Sequence, residues 1–145
     1  MEVLAEQIVA TYLTRGGKVF IVPQYSIPSE NGQGDWACPD LLALDFEKKE
    51  VIVIEVATGS RFKNLIDRIA ERETRWFKPI QAKLAEDGLK EQSEWPIRFL
   101  GFVRKESLPL ALRPFVDQKD VSFMAIEEAT FPWTYWNERM ERGLP

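Results

Sequence analysis

Hydrophobic and polar positions follow two rhythms along this chain, and the switches between them mark its elements. From Glu2 to Thr14, Leu4, Ala5, Ile8 and Tyr12 recur at helical spacing, and Gly16-Gly17 stops the run. Lys18 to Tyr25 is rich in valine, phenylalanine and isoleucine and reads as a strand. Ser26 to Cys38, broken by Pro28, Gly32, Gly34 and Asn31, is a long polar loop of the kind that is usually functional or disordered. Two apolar runs follow, Leu41-Leu42-Ala43-Leu44 and Val51-Ile52-Val53-Ile54. The charged stretch Glu47-Lys48-Lys49-Glu50 separates them and makes Asp40–Ala57 a hairpin. Its second strand is apolar on both faces, as expected of a central strand covered on both sides. A helix is predicted from Phe62 to Glu86, bent or interrupted by Pro79. Gly88 to Pro96 reads as a loop, Ile97 to Val103 as a strand, Leu108 to Val116 as a short helix and Val121 to Ile126 as a last strand. Pro132 is suited to the first turn of a closing helix that reaches Arg142. The alternation makes one α/β domain over residues 1–145.

The hairpin opens with one acid and closes with another. A two-residue turn at Glu47-Lys48 sets Asp40 directly across from Glu55, on one face of the sheet. Opposed residues of an antiparallel pair hold their Cβ atoms roughly 4.5–5.5 Å apart. Two carboxylates that close repel unless a proton or a cation sits between them. An odd-length turn without a bulge would instead throw the two acids onto opposite faces.

Composition narrows the chemistry mainly by what is missing. The chain has no histidine, which removes a Ser-His-Asp triad and a histidine general base. Cys38 stands alone, so neither a disulfide frame nor a Cys/His zinc site is available. Any metal must be held by oxygen, which favours Mg²⁺, Mn²⁺ or Ca²⁺. No GxxxxGK[ST] loop and no GxGxxG after a strand is present. Ser60-Arg61-Phe62-Lys63 spells the SxxK of penicillin-recognising enzymes without their other motifs. The apolar runs are too short to cross a bilayer, and the N-terminus lacks a signal-like core, so a cytoplasmic protein without membrane contact is expected.

Pro39-Asp40, followed fifteen residues after the aspartate by Glu55-Val56-Ala57, resembles the motif of the PD-(D/E)XK nuclease superfamily, the fold of many restriction enzymes and Holliday-junction resolvases. The resemblance extends to Glu6 on the first helix and, in outline, over roughly the first hundred residues. It implies a restriction-endonuclease-like αβββαβ core, a mixed central sheet flanked by helices, here with an added C-terminal strand and helix. It also implies Mg²⁺ or Mn²⁺ held by Asp40, Glu55 and the Val56 carbonyl, with Glu6 acting through a water on the metal. The family's lysine falls on Ala57, a departure that asks for a displaced cation. Lys63 is the first candidate, with Arg61 and Arg68 beside it. The implied activity is metal-dependent hydrolysis of phosphodiester bonds in nucleic acid, DNA before RNA. The alternative is a catalytically inactive module of the same fold that binds nucleic acid or protein.

Two further patterns remain open. From Arg61 to Lys78 six basic residues face three acidic ones, giving +3 in a chain of net charge −4. On one continuous helix Arg61, Arg68, Arg72 and Arg75 share a stripe that, with Lys63, either tracks phosphates or is a solvated surface paired with Asp67 and Glu71. Glu73 falls inside the apolar face of that helix, so either it is paired and partly buried or the helix starts later. Asp35, beside Gly34, is a weaker site candidate and a natural turn former. Trp133, Trp136 and Met140 align on the last helix with Phe131 and Tyr135 beside them. Such a stripe either docks onto the sheet or forms a homodimer surface.

Overall fold

Five strands lie side by side in chain order in one mixed sheet: β1 (Val19–Pro23), β2 (Leu41–Asp45), β3 (Glu50–Ala57), β4 (Ile97–Val103) and β5 (Val121–Ala125). The computed structural model describes residues 2–27, 38–59 and 62–130. β1, β2 and β3 form an antiparallel meander, and β4 and β5 add to β3 in parallel. Parallel neighbours need a crossover. Helical segments between residues 62 and 93 connect β3 to β4, and those between residues 105 and 115 connect β4 to β5. The fold is therefore α/β with helices on both faces of the sheet.

Strand alternation sorts the core into two halves. Leu42, Leu44, Val51, Val53 and Ala57 face one way and pack on Leu65 and Ile69 of α2 (Phe62–Ala70), on Ile80 and Leu84 of α3 (Lys78–Glu86), and on Trp76 and Phe99. Leu41, Ala43, Ile52, Ile54 and Val56 face the other way, against Ala5 and Val9 of α1 (Glu2–Thr14) and Ile126 and Ala129 of a short helix at Ile126–Thr130. β3 is the middle strand, and Val51 to Ala57 are all buried. Covered on both sides, it can be apolar throughout.

The hairpin keeps its expected register by a different turn. The connection is the four-residue loop Phe46–Lys49, not a two-residue turn. The buried Asp45 carboxylate accepts the N–H groups of Glu47 and Lys48, both at 3.0 Å, and Lys49 closes the loop at φ 54°. Both turns share one centre, so the pairing Leu41↔Ile54 through Asp45↔Glu50 is the same.

The long helix expected from Phe62 to Glu86 is broken. α2 ends at Ala70, and a widened π turn spans Glu73–Phe77 before α3 begins at Lys78. Lys78 N–H reaches back five residues to the Glu73 carbonyl. Pro79, which cannot donate a helical hydrogen bond, sits in the first turn of α3, just beyond the widened turn. Glu73 is exposed, whereas Trp76, Phe77 and Ile80 beyond the break are buried in the same core as Leu65 and Ile69, and Arg68, Arg72 and Arg75 are all half-buried. Two other boundaries move. Gly88 to Pro96 contains a one-turn helix, α4 (Lys90–Ser93), and the helix from Leu108 ends at Leu112 (α5), continued by a 3₁₀ turn at Arg113–Phe115. The helix at Ile126–Thr130 is α6. Arg61, Asp35 and the aromatic helix from Pro132 lie outside the described residues. Among the described residues no helix is long and apolar enough to cross a membrane.

Candidate functional site

The meander's register brings Asp40 and Glu55 together one step beyond the last strand pair. Asp40 N–H donates to Glu55 Oε2 at 3.3 Å. Continued once more, the register would pair Val56 with Pro39, which has no N–H to give the Val56 carbonyl. The Val56 N–H is instead taken by Asp40 Oδ2 at 2.8 Å. In an antiparallel pairing a residue's N–H and C=O point to the same neighbour. The Val56 carbonyl thus faces the Asp40 side of β3 with no strand partner, which is what an adjacent proline–aspartate pair accomplishes.

Glu55 lies on the face covered by α2, and from that helix Arg68 Nη1 reaches Glu55 Oε1 at 3.2 Å. On the other side, β4 places Gly101 beside Glu55. A Cβ at Gly101 would lie 2.6 Å from the ring of Phe123, so the missing side chain makes room for that ring. With Asp40 and Gly101 as its strand neighbours and α2 above, Glu55 is only 3% exposed. Burial is the main cause that pushes its carboxyl up, to about 9; the hydrogen bond with Asp40 and the charge of Asp40 push the same way. Arg68 and the Asp40 N–H pull it down without overcoming these causes. Near neutral pH the acid pair therefore retains a proton although a guanidinium stands at ion-pair distance.

Two other groups converge on this corner. Cys38 is half-buried, with Ser26 Oγ 4.0 Å from its Sγ. Burial raises its thiol pKa first, the Ser26 hydroxyl lowers it, and the charges of Glu55, Asp40 and Glu6 raise it again. Glu6, half-buried on α1, is thus electrostatically part of the corner although its helix packs on the opposite face of the sheet. Ala57 is buried in the α2-side core. Lys63 is exposed near the start of α2.

Two further arginines of the expected stripe, Arg72 and Arg75, are engaged elsewhere. Arg72 donates to both carboxylate oxygens of Asp120, from Nε at 2.6 Å and Nη2 at 3.0 Å, and ties the turn after α2 to the residue before β5. Arg75 lies over the Trp76 ring, 5.6 Å from its centroid.

Hard oxygen donors fit a hard cation. Among the described residues no group of three or more His, Cys, Asp and Glu side chains is arranged to hold a metal. Two carboxylates and a carbonyl suit Mg²⁺ nonetheless, since that ion commonly keeps several waters and takes only one or two carboxylates. Of the three cations named from the sequence, Arg68 is the one seen to reach the acid pair, while Lys63 forms no ion pair with it among the described residues and Arg61 lies outside them. Sequence reasoning missed the role of Gly101 and Phe123. A glycine within an otherwise apolar strand was the available signal for it. No protein-family model and no curated protein matches this chain, so its functional reading rests on this geometry.

Proposed function

We propose that this chain is a metal-dependent phosphodiesterase of the PD-(D/E)XK kind, acting on nucleic acid and on DNA in particular. The observation that carries the reading is the pairing of buried Glu55 with half-buried Asp40, Asp40 N–H on Glu55 Oε2 at 3.3 Å, beside the Val56 carbonyl, which the register leaves without a strand partner. Asp40, Glu55 and the Val56 carbonyl would hold Mg²⁺ or Mn²⁺. Such an ion, when bound, polarises a phosphoryl oxygen and lowers the pKa of a water. The chain's own contribution is placement. Val56 N–H orients Asp40, the β4–β5 side keeps water from Glu55, and Glu6 adds negative charge at the same corner. Lys63 supplies an exposed cation close by in sequence.

A second reading is a catalytically silent module of the same architecture that binds nucleic acid or protein. It is favoured by Ala57, buried where the family's lysine would stand, and by the commitment of Arg72 to Asp120. Cleavage of labelled single-stranded, duplex and branched DNA in Mn²⁺ separates the two. Wild type should cleave, while Asp40→Asn and Lys63→Ala should not. An inert wild type that still binds these DNAs supports the silent module, and an active wild type unaffected by Lys63→Ala excludes Lys63 as the displaced cation.

A further inference from the structure

We propose that Arg68 is a placeholder for the divalent ion: it holds Glu55 in the metal-free protein, yields that oxygen when the ion binds, and then engages a phosphate of the nucleic acid. The inference rests on the metal-site reading above. Both oxygens of the Glu55 carboxylate are in use, Oε2 by Asp40 N–H at 3.3 Å and Oε1 by Arg68 Nη1 at 3.2 Å. Asp40 Oδ2 is likewise held by Val56 N–H at 2.8 Å. Each Glu55 oxygen keeps a further lone pair for an ion, but an ion that gathers both carboxylates comes within a few Å of whatever holds Glu55, and a charged partner there is repelled. The Asp40 N–H is fixed in the backbone. Arg68 holds on by the tip of a long side chain that is 30% exposed, so Arg68 is the partner that gives way.

Charge decides where it goes. A divalent ion cancels the two carboxylates and leaves the guanidinium as a surplus positive charge beside it. The ion repels that charge, and a phosphodiester arriving from solvent attracts it. A guanidinium also matches phosphate geometry with two parallel N–H groups, which a lysine cannot do. The Arg68 backbone is held in place by its fully buried α2 neighbours Leu65 and Ile69, and in the metal-free protein the guanidinium is also tethered through Nε to the Asn64 carbonyl at 3.4 Å. The head group therefore moves at the site rather than away from it. Arg72, one turn on, cannot serve, because Asp120 already holds its Nε at 2.6 Å.

The test measures Mn²⁺ affinity by titration calorimetry for wild type, Arg68→Gln and Arg68→Lys without nucleic acid. It also follows binding of a labelled phosphorothioate oligodeoxynucleotide with and without Mn²⁺. Arg68→Gln should bind Mn²⁺ at least about tenfold tighter than wild type, the effect of removing a unit charge a few Å from a divalent ion even when it is screened as strongly as in water. Mn²⁺ should strengthen oligonucleotide binding more in wild type and Arg68→Lys than in Arg68→Gln, which keeps only the ion's own contact with phosphate; an equal gain in all three overturns the phosphate role of Arg68. In wild type alone, the Arg68 Nε–H resonance should move on Mg²⁺ addition, a readout that does not depend on any variant folding. Arg68→Gln binding Mn²⁺ no tighter than wild type, or an unmoved resonance in Mg²⁺-saturated protein, overturns the placeholder role and leaves the metal site standing. A wild type that binds neither ion at millimolar concentration overturns both.

Discussion

Replacing Glu55 by glutamine removes the ionisable group that the fold holds most strongly against its charge. Folding lifts this carboxyl from 4.5 to about 9, first by burial and next through Asp40. Between those values the native chain keeps a proton that the unfolded chain has released. Stability therefore falls as pH rises across that window, by up to about 1.4 kcal/mol per pH unit. Below 4.5 both states are protonated and Glu55 adds no pH dependence. From 4.5 to pH 7 the cost accumulates to about 3 kcal/mol. Glutamine has nearly the same shape and donates to Asp40 through its amide, but it keeps only one acceptor for the Asp40 N–H and Arg68. Losing the other hydrogen bond costs about 1 kcal/mol. Glu55→Gln should accordingly be more stable than wild type by about 2 kcal/mol at pH 7, less stable by about 1 kcal/mol at pH 4, and equal to it between roughly pH 5 and 6. Urea unfolding in EDTA, followed by the fluorescence of the five tryptophans at several pH values, reads this directly. The reasoning fails if, at unchanged denaturant slope, the gap is independent of pH or wild type is the more stable protein at pH 8. Either result would mean that Glu55 is ionised in the fold and satisfied by Arg68.

Mg²⁺ or Mn²⁺ should raise the thermal midpoint of wild type, because a ligand of the folded state stabilises it. Asp40→Asn should lose most of that response without losing metal-free stability, since its amide oxygen still accepts the Val56 N–H and the like charge beside Glu55 is gone. Asp40→Ala should instead cost about 1–3 kcal/mol by stranding that buried N–H, and equal stability of the two variants would deny Asp40 its capping role. Gly101→Ala should destabilise by about 1–3 kcal/mol through overlap with the Phe123 ring, and Phe123→Leu in the same chain should recover part of the loss. Urea unfolding of the single and double variants checks this pair. A neutral Gly101→Ala would show that the ring has room to move.

Much of the acid pair's geometry was legible because it is local. Alternation along Leu41–Leu44 and Val51–Ile54 makes a hairpin, and a one-residue slip would turn every buried side chain to the wrong face. A four-residue loop and a two-residue turn with the same centre then give the same partner for Asp40, which is why misjudging the turn left the pairing intact. The all-apolar run of β3 likewise announced a central strand, and the tertiary structure puts it in the middle of five. The segment from Phe62 to Glu86 shows where that legibility ends. The helix breaks between Ala70 and Glu73, yet Leu65, Ile69, Trp76, Phe77 and Ile80 are all buried in one core; what the spacing does not show is that Glu73 turns to solvent and that Arg68 and Arg72 find separate partners. Arg68 meets Glu55 across thirteen positions, and Arg72 meets Asp120 across forty-eight. Such partners are chosen by where a helix lies over the sheet, through the fit of Leu65 and Ile69 into its core, and no spacing in the sequence encodes that placement. The dryness of Glu55 has the same origin: Gly101 and Phe123 come to its side only because β4 and β5 add to β3 in parallel. The chain's local pattern thus determined that two acids would meet, and the assembled layers decided what surrounds them and how their charge is balanced.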